Sequence, residues 1–135
     1  MNFMGNLFNA IHVGMYRLSG GRIWANNVLL LTTTGRKSGK VRTVPLGCFN
    51  WQGGYLIVAS NGGAPNHPGW YHNLKGQPQV KVQVLDKVMT VNPQVLTGED
   101  RSQAWQHVIN TAPGYAGHEK KTTREIPLVL LLPER

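Results

Sequence analysis

Apolar residues fall in short blocks along the chain, and the spacing within a block sets the element it predicts. Phe3, Leu7, Ile11 and Met15 lie four apart, which predicts an amphipathic helix over residues 2–18, ended by Ser19-Gly20-Gly21. Residues 27–34 (NVLLLTTT) run apolar and then threonine-rich, the composition of a buried strand. Gly35 to Gly39 is a turn, Val41 to Asn50 a second strand, Gln52-Gly53-Gly54 another turn and Tyr55 to Ser60 a third strand. A loop rich in Gly and Pro follows to Pro68. Gly69 to Lys75 then predicts one or two helical turns, with Asn66 as the cap and Pro68 in the first turn. Val80 to Val84 and Val88 to Leu96 form a second strand pair around Asp86-Lys87. Thr97-Gly98-Glu99-Asp100 has the form of a capping box with aspartate in place of Glu or Gln. Behind it, Ala104, Trp105, Val108 and Ile109 make the inward stripe of a helix that Pro113 and Gly114 break. Ile126 to Leu132 is the last buried strand.

About six strands, mainly hairpin-connected, with two to three short helices predict an α+β fold with an antiparallel sheet. Strands of this length around one core commonly curl into a barrel. The alternation of a doubly wound sheet is missing, as are repeats, low-complexity tracts and linkers. One domain over 1–135 is therefore expected, with the helix at 1–18 set before a barrel.

Charge narrows the partners. Fourteen basic against six acidic residues give a formal charge of +8, which favours an anionic partner: nucleic acid, lipid headgroup or phosphorylated ligand. Arg36, Lys37, Lys40 and Arg42 are clustered, and Lys120, Lys121 and Arg124 form a second group. Nucleic acid is the weakest of the three, because the four tryptophans do not alternate with the basic residues and no nucleic-acid-binding signature occurs. The single cysteine, Cys48, reads as a packed strand thiol. Without a cysteine pair or secretion signal the chain reads as cytoplasmic. No segment approaches the roughly 20 apolar residues of a membrane span. A free N-terminal helix would still offer Phe3, Leu7, Phe8 and Ile11 to a membrane surface; the plainer reading packs it on the barrel or on a partner subunit.

Two stretches carry candidate chemistry. In Thr33 to Lys40 and Arg42, two glycines turn backbone N–H groups towards a common point, Arg36 and Lys37 add cations, Ser38 adds a hydroxyl, and Arg42 reaches back from the strand. This is either a phosphate cradle or a solvated basic hairpin that protects a sheet edge. It is not a P-loop, since that spacing fails and a strand follows instead of a helix. In the second stretch, residues 59–74, a strand opens into a glycine-rich loop and a short aromatic helix. Backbone groups at 60–63 and the Trp70 ring suit a planar heterocycle. Alternatively Trp70, Tyr71 and Leu74 are only the buried face of that helix. A third region, Pro113 to Pro127, places Tyr115 and His118 three apart, where they line a pocket mouth or cap the core.

Protein-based chemistry lacks its parts. His67 and His72 have no HExxH frame, so no metal is expected. There is no nucleophile elbow and no convincing carboxylate pair, which leaves a bound cofactor to supply reactivity.

Together, LLLTTTGRKSGKVRTVPL (29–46), SNGGAPNHPGWYHNL (60–74) and TTREIPLVLL (122–131) resemble the deazaflavin-dependent nitroreductase family, in order and spacing, from residue 24 onward. The resemblance implies a split β-barrel that binds coenzyme F420, a deazaflavin with a phosphate and an oligoglutamate tail; the related barrels bind FMN, the alternative cofactor. It implies phosphate and tail contacts by Arg36, Lys37, Ser38, Gly39 and Arg42, with Pro45 beside them. Ser60, Asn61, Gly62, Gly63, Trp70, Tyr71 and Asn73 would stand near the deazaflavin. Tyr115, His118 and Ser60 would serve the reaction, a hydride transfer to a small electron-poor acceptor such as a quinone, nitroaromatic or activated alkene. A non-catalytic flavin-binding protein is the other outcome, and a homodimer is the expected assembly of such barrels. Three residues differ from members of the family. Asn61 stands where some carry lysine, His118 replaces a tyrosine and Ala112 an aromatic residue, so the acceptor pocket differs from that of a nitroreductase.

Overall fold

The structure, a computed structural model, describes residues 28–134. Six strands, β1 (Val28–Thr34), β2 (Val41–Trp51), β3 (Gly54–Val58), β4 (Val80–Val84), β5 (Lys87–Val95) and β6 (Leu128–Pro133), close into a barrel in the order β1-β2-β3-β6-β5-β4. Every ladder is antiparallel, as expected for an α+β split barrel. Three helices accompany them: α1 (Gly69–Lys75), α2 (Gly98–Thr111) and α3 (Gly114–Lys120). A 3₁₀ turn covers Asn61–Gly63. The expected helix over residues 2–18 lies outside the described residues.

Strand alternation sorts the apolar side chains into two cores. Leu29 and Leu31 of β1 meet Ile57, Val82, Val91, Val129 and Leu131 in one cluster, which Tyr71 and Leu74 of α1 join. The alternate residues Leu56, Val58, Leu128 and Leu130 form a second cluster with Ala104, Trp105 and Val108 of α2. Both faces of β3 and β6 are thus covered, which is why their sequences read as unbroken apolar runs (YLIV, LVLLL) and not as alternation. Full burial of a leucine stabilises by about 1.5–3 kcal/mol, so these two strands anchor the molecule.

β2 belongs to two ladders. Val41 to Gly47 pair with β1, and Cys48 to Trp51 pair with β3. Cys48 enters the first cluster and its neighbour Phe49 the second. Burial pushes the Cys48 thiol up to about 12, so it stays protonated as a packed strand residue.

Several local expectations change. The β4–β5 turn is Leu85-Asp86, with Leu85 at φ 56°, and Lys87 already lies in β5. Pro68, not Asn66, is the N-cap of α1, and it makes no side-chain cap bond. Thr97 does cap α2, yet its hydroxyl makes no cap hydrogen bond, so the capping box is absent. Beyond the break at Pro113, the chain forms α3, a stretch to which the sequence pattern assigned no element.

Candidate active site

The β1–β2 hairpin is closed by two backbone bonds, Gly35 N–H to Lys40 C=O at 2.7 Å and Gly39 N–H to Gly35 C=O at 2.9 Å. Of its two glycines only Gly39 takes positive φ, at 71°. Gly35 is there for room, since a Cβ would sit 2.5 Å from Ser38 Oγ. Ser38 Oγ accepts from Lys40 N–H at 3.2 Å, so the hydroxyl helps build the turn.

Two amides tie this hairpin to α1. Asn73 Oδ1 accepts from Arg36 N–H at 3.1 Å, and its Nδ2 donates to Thr33 Oγ1 at 3.3 Å. Gln77 Nε2 donates to the carbonyls of Thr34 (2.7 Å) and Asn73 (2.9 Å), while its Oε1 accepts from Thr34 N–H at 3.3 Å. Sequence reasoning missed Gln77, which stands outside every motif. Asn73→Ala is expected to cost about 1 kcal/mol in urea denaturation and to weaken anion binding in the cleft below by several-fold. An unchanged affinity would show that the hairpin holds its shape without α1.

Between hairpin and helix lies a cleft of about 410 Å³. Arg36, Lys37, Ser38 and Arg42 line it from the hairpin side, Gly69, Trp70 and Asn73 from α1, and Thr33, Gly35 and Val44 complete it. The volume falls within the usual range for small-ligand sites. Among the described residues the ion pair within 4 Å is Arg101 with Glu125, so no described carboxylate neutralises the cleft's cations. Exposed guanidinium and ammonium groups without a described carboxylate partner, set around a walled cleft, suit an anionic ligand. Trp70 is half-buried, packed against the barrel core while lining the cleft. Tyr71 is buried in the core, 6% exposed, and does not line the cleft. Pro45, exposed on β2 opposite Leu30, does not line it either.

Ser60, Asn61, Gly62, Gly63, Tyr115 and His118 also lie outside that lining and form a second cluster. After β3 the chain leaves the sheet, with Ala59 N–H bonded to Pro127 C=O at 3.0 Å. Asn61, Gly62 and Gly63 then all adopt positive φ (49°, 66° and 85°). At Gly63 a Cβ would meet Lys121 Cβ at 2.8 Å and His118 C=O at 2.9 Å, so α3 sits directly on this turn. His118 Nδ1 and Ser60 Oγ are 3.0 Å apart, and Ser60 is 6% exposed. Tyr115 meets Phe49 and His118 edge to face, at 5.9 and 5.4 Å between ring centres. Burial, and then the neighbouring Cys48, push the Tyr115 phenol up, which keeps its proton in place at neutral pH.

Arg124 underlies this cluster. Its guanidinium donates to the carbonyls of Ala64 (Nε, 3.0 Å), Ala59 (Nη1, 3.2 Å) and Ser60 (Nη2, 2.7 Å), and Nη1 lies 2.8 Å from His67 Nδ1. In the sequence Arg124 reads only as part of a basic group; nothing local there signals a residue that reaches back some sixty positions.

The sequence profile described as F420H(2)-dependent quinone reductase matches residues 9–133. The chain belongs to this family. An F420H(2)-dependent quinone reductase of Mycobacterium tuberculosis is 41% identical over 129 residues, 90% of this chain and 87% of that protein. A solved F420-H2 dependent reductase is 44% identical, with a TM-score of 0.70, covering 78% of this chain and 93% of its own. A second solved structure, described as a domain-swapped dimer, is 38% identical with a TM-score of 0.71, covering 91% and 97%. As a member of the F420H(2)-dependent quinone reductase family, the protein is an F420-dependent reductase, and its cofactor is coenzyme F420. The donors present fit such a group. Unpaired Arg36, Lys37 and Arg42 suit its phosphate and carboxylates, and Trp70 offers a wall for a planar ring. Among the described residues no helix is long and apolar enough to cross a membrane. Residues 1–18, whose apolar positions would face a membrane only if that helix were free, are outside them.

Proposed function

We propose that the protein reduces a quinone with F420H(2), using the two clusters for two tasks. Arg36, Lys37, Ser38, Gly39 and Arg42 receive the phosphate and tail of the cofactor, and Trp70 with the Ser60–Gly63 turn receives its ring. Tyr115, His118 and Ser60 stand on the acceptor side. The observation that carries the reading is the set of unpaired cations around a cleft walled by Trp70. The solved domain-swapped dimer supports a homodimer as the working unit.

Reduced F420 supplies a hydride when bound. Converting a quinone to a quinol takes a hydride and a proton, and the chain's residues answer for the proton. His118 Nδ1 and Ser60 Oγ share one hydrogen bond, so a proton on either is held between ring and hydroxyl. The Tyr115 phenol remains a donor, able to stabilise charge developing on an acceptor oxygen.

Titration with F420 and FMN side by side, followed by tryptophan quenching, tests the cofactor half; preference for FMN would sink it. For the acceptor half, Ser60→Ala and His118→Phe are each expected to lower kcat for quinone by roughly 10–100-fold, with cofactor affinity held within about threefold. Unchanged turnover in both variants would remove them from the reaction.

A further inference from the structure

Arg124 lies between α3 and β6, outside both clusters, yet four of its contacts fall on residues 59–67. We infer that Arg124 is a positioning residue, holding the Ala59–Ala64 segment in shape for the ring of the cofactor, and that His67 makes this clamp sensitive to acid. This rests on the proposed placement of that ring beside Ser60–Gly63.

The geometry sets the protonation state. A guanidinium carries N–H donors and no acceptor. His67 Nδ1, 2.8 Å from Arg124 Nη1, must therefore be the acceptor, which makes the ring neutral with its proton on Nε2. Protonating Nδ1 removes the bond and sets two cations against each other. Among the described residues the titratable groups around His67 are Arg124, and Tyr71, His72 and Lys75 on α1; no carboxylate is among these to stabilise an imidazolium. Burial first, then Arg124, His72 and Lys75, lower the His67 pKa. A depressed histidine pKa contributes stability that is complete above the unfolded value and is lost as pH falls through the folded one. The clamp is thus closed at neutral pH and opens on the acid side.

Arg124 also holds its three carbonyls while the Asn61–Gly63 turn occupies positive φ, a conformation the segment does not keep cheaply alone. Loss of the His67 contact releases one side of this arrangement, and loss of Arg124 releases all of it.

The test uses the full chain, first without ligand. Proton–nitrogen NMR of the imidazole rings is followed with pH in wild type and in Arg124→Gln. His67 is expected to titrate below the ordinary histidine range in wild type and to move up towards it in the variant, which removes the Arg124 charge but not the burial. An ordinary His67 titration in wild type, or one unmoved by Arg124→Gln, overturns the clamp. His67→Asn keeps an acceptor near the Nδ1 position and cannot titrate, so it serves if Arg124→Gln does not fold. Wild-type affinity for F420 is expected to fall about tenfold between roughly pH 7.5 and pH 5, against less than about twofold extra loss in His67→Asn. Titration of the ligand's own anions is common to both proteins and cancels in that comparison. An equal acid loss in both removes His67 from the device. Failure of wild type to bind F420 at neutral pH would instead defeat the proposed function, with the imidazole titration still deciding the clamp.

Discussion

Replacing Arg36 and Lys37 together by alanine is expected to weaken F420 binding by about a hundredfold or more, because each charge-assisted hydrogen bond is worth about 1.5–3 kcal/mol. The fold should hardly notice. Both side chains are exposed, neither has a described carboxylate partner, and the turn is held by backbone bonds and by Asn73 on the Arg36 N–H. Tryptophan quenching gives the affinity and urea denaturation the stability. A second signature separates phosphate binding from loss of packing. Wild-type affinity should fall as salt rises, since screening reaches about 8 Å at physiological ionic strength, and the double variant should respond less. An affinity loss below about threefold would return the hairpin to its plainer role as a solvated edge.

Gly63→Ala is the larger test of the fold. Its φ of 85° is unfavourable for any side chain, and the added methyl would meet Lys121 Cβ and the His118 carbonyl, below 3 Å in both cases. Strain of about 1–3 kcal/mol and overpacking of similar size predict a loss of about 2–6 kcal/mol. Turnover should fall with it, because the methyl pushes on the same α3 that carries Tyr115 and His118. Gly62→Ala is the control. Its φ is 66°, but nothing lies within 4 Å of the added atom, so only the conformational cost of about 1–2 kcal/mol applies. If urea denaturation finds the two variants equal, contact with α3 does not constrain this turn.

These two sites differ in how readily the sequence discloses them. The basic hairpin is legible because its charges, glycines and flanking strands are contiguous. Strands β1 to β6 are legible for the same reason, as short blocks bounded mostly by Gly and Pro and, between β4 and β5, by Asp86, with ends displaced by one or two residues. Helix α3 is not. GYAGHEK holds two glycines, follows a proline and buries no residue; tertiary contact with Gly63 and Tyr115 against Phe49 hold it there. Thr97 shows the converse, a cap motif whose side-chain bond the fold does not use. Tyr71 shares a helix with Trp70, but one step along α1 turns it from the cleft into the core. Arg124 and Gln77 escape reading because their partners are distant in sequence, at 59–67 and at Thr34.

The double membership of β2 restricts which length changes the chain can absorb. One half of the strand carries Arg42 and Val44 to the cleft, and the other carries Cys48 and Phe49 to opposite cores. Side-chain facing has a period of two, so inserting or deleting one residue between Val44 and Cys48 would invert one half relative to the other. Either the cations would leave the cleft or Phe49 would exchange places with Cys48. The turns at Gln52-Gly53 and Leu85-Asp86 carry no such parity, and extra residues there loop out into solvent. Insertions and deletions among relatives should therefore collect at those turns and spare the middle of β2.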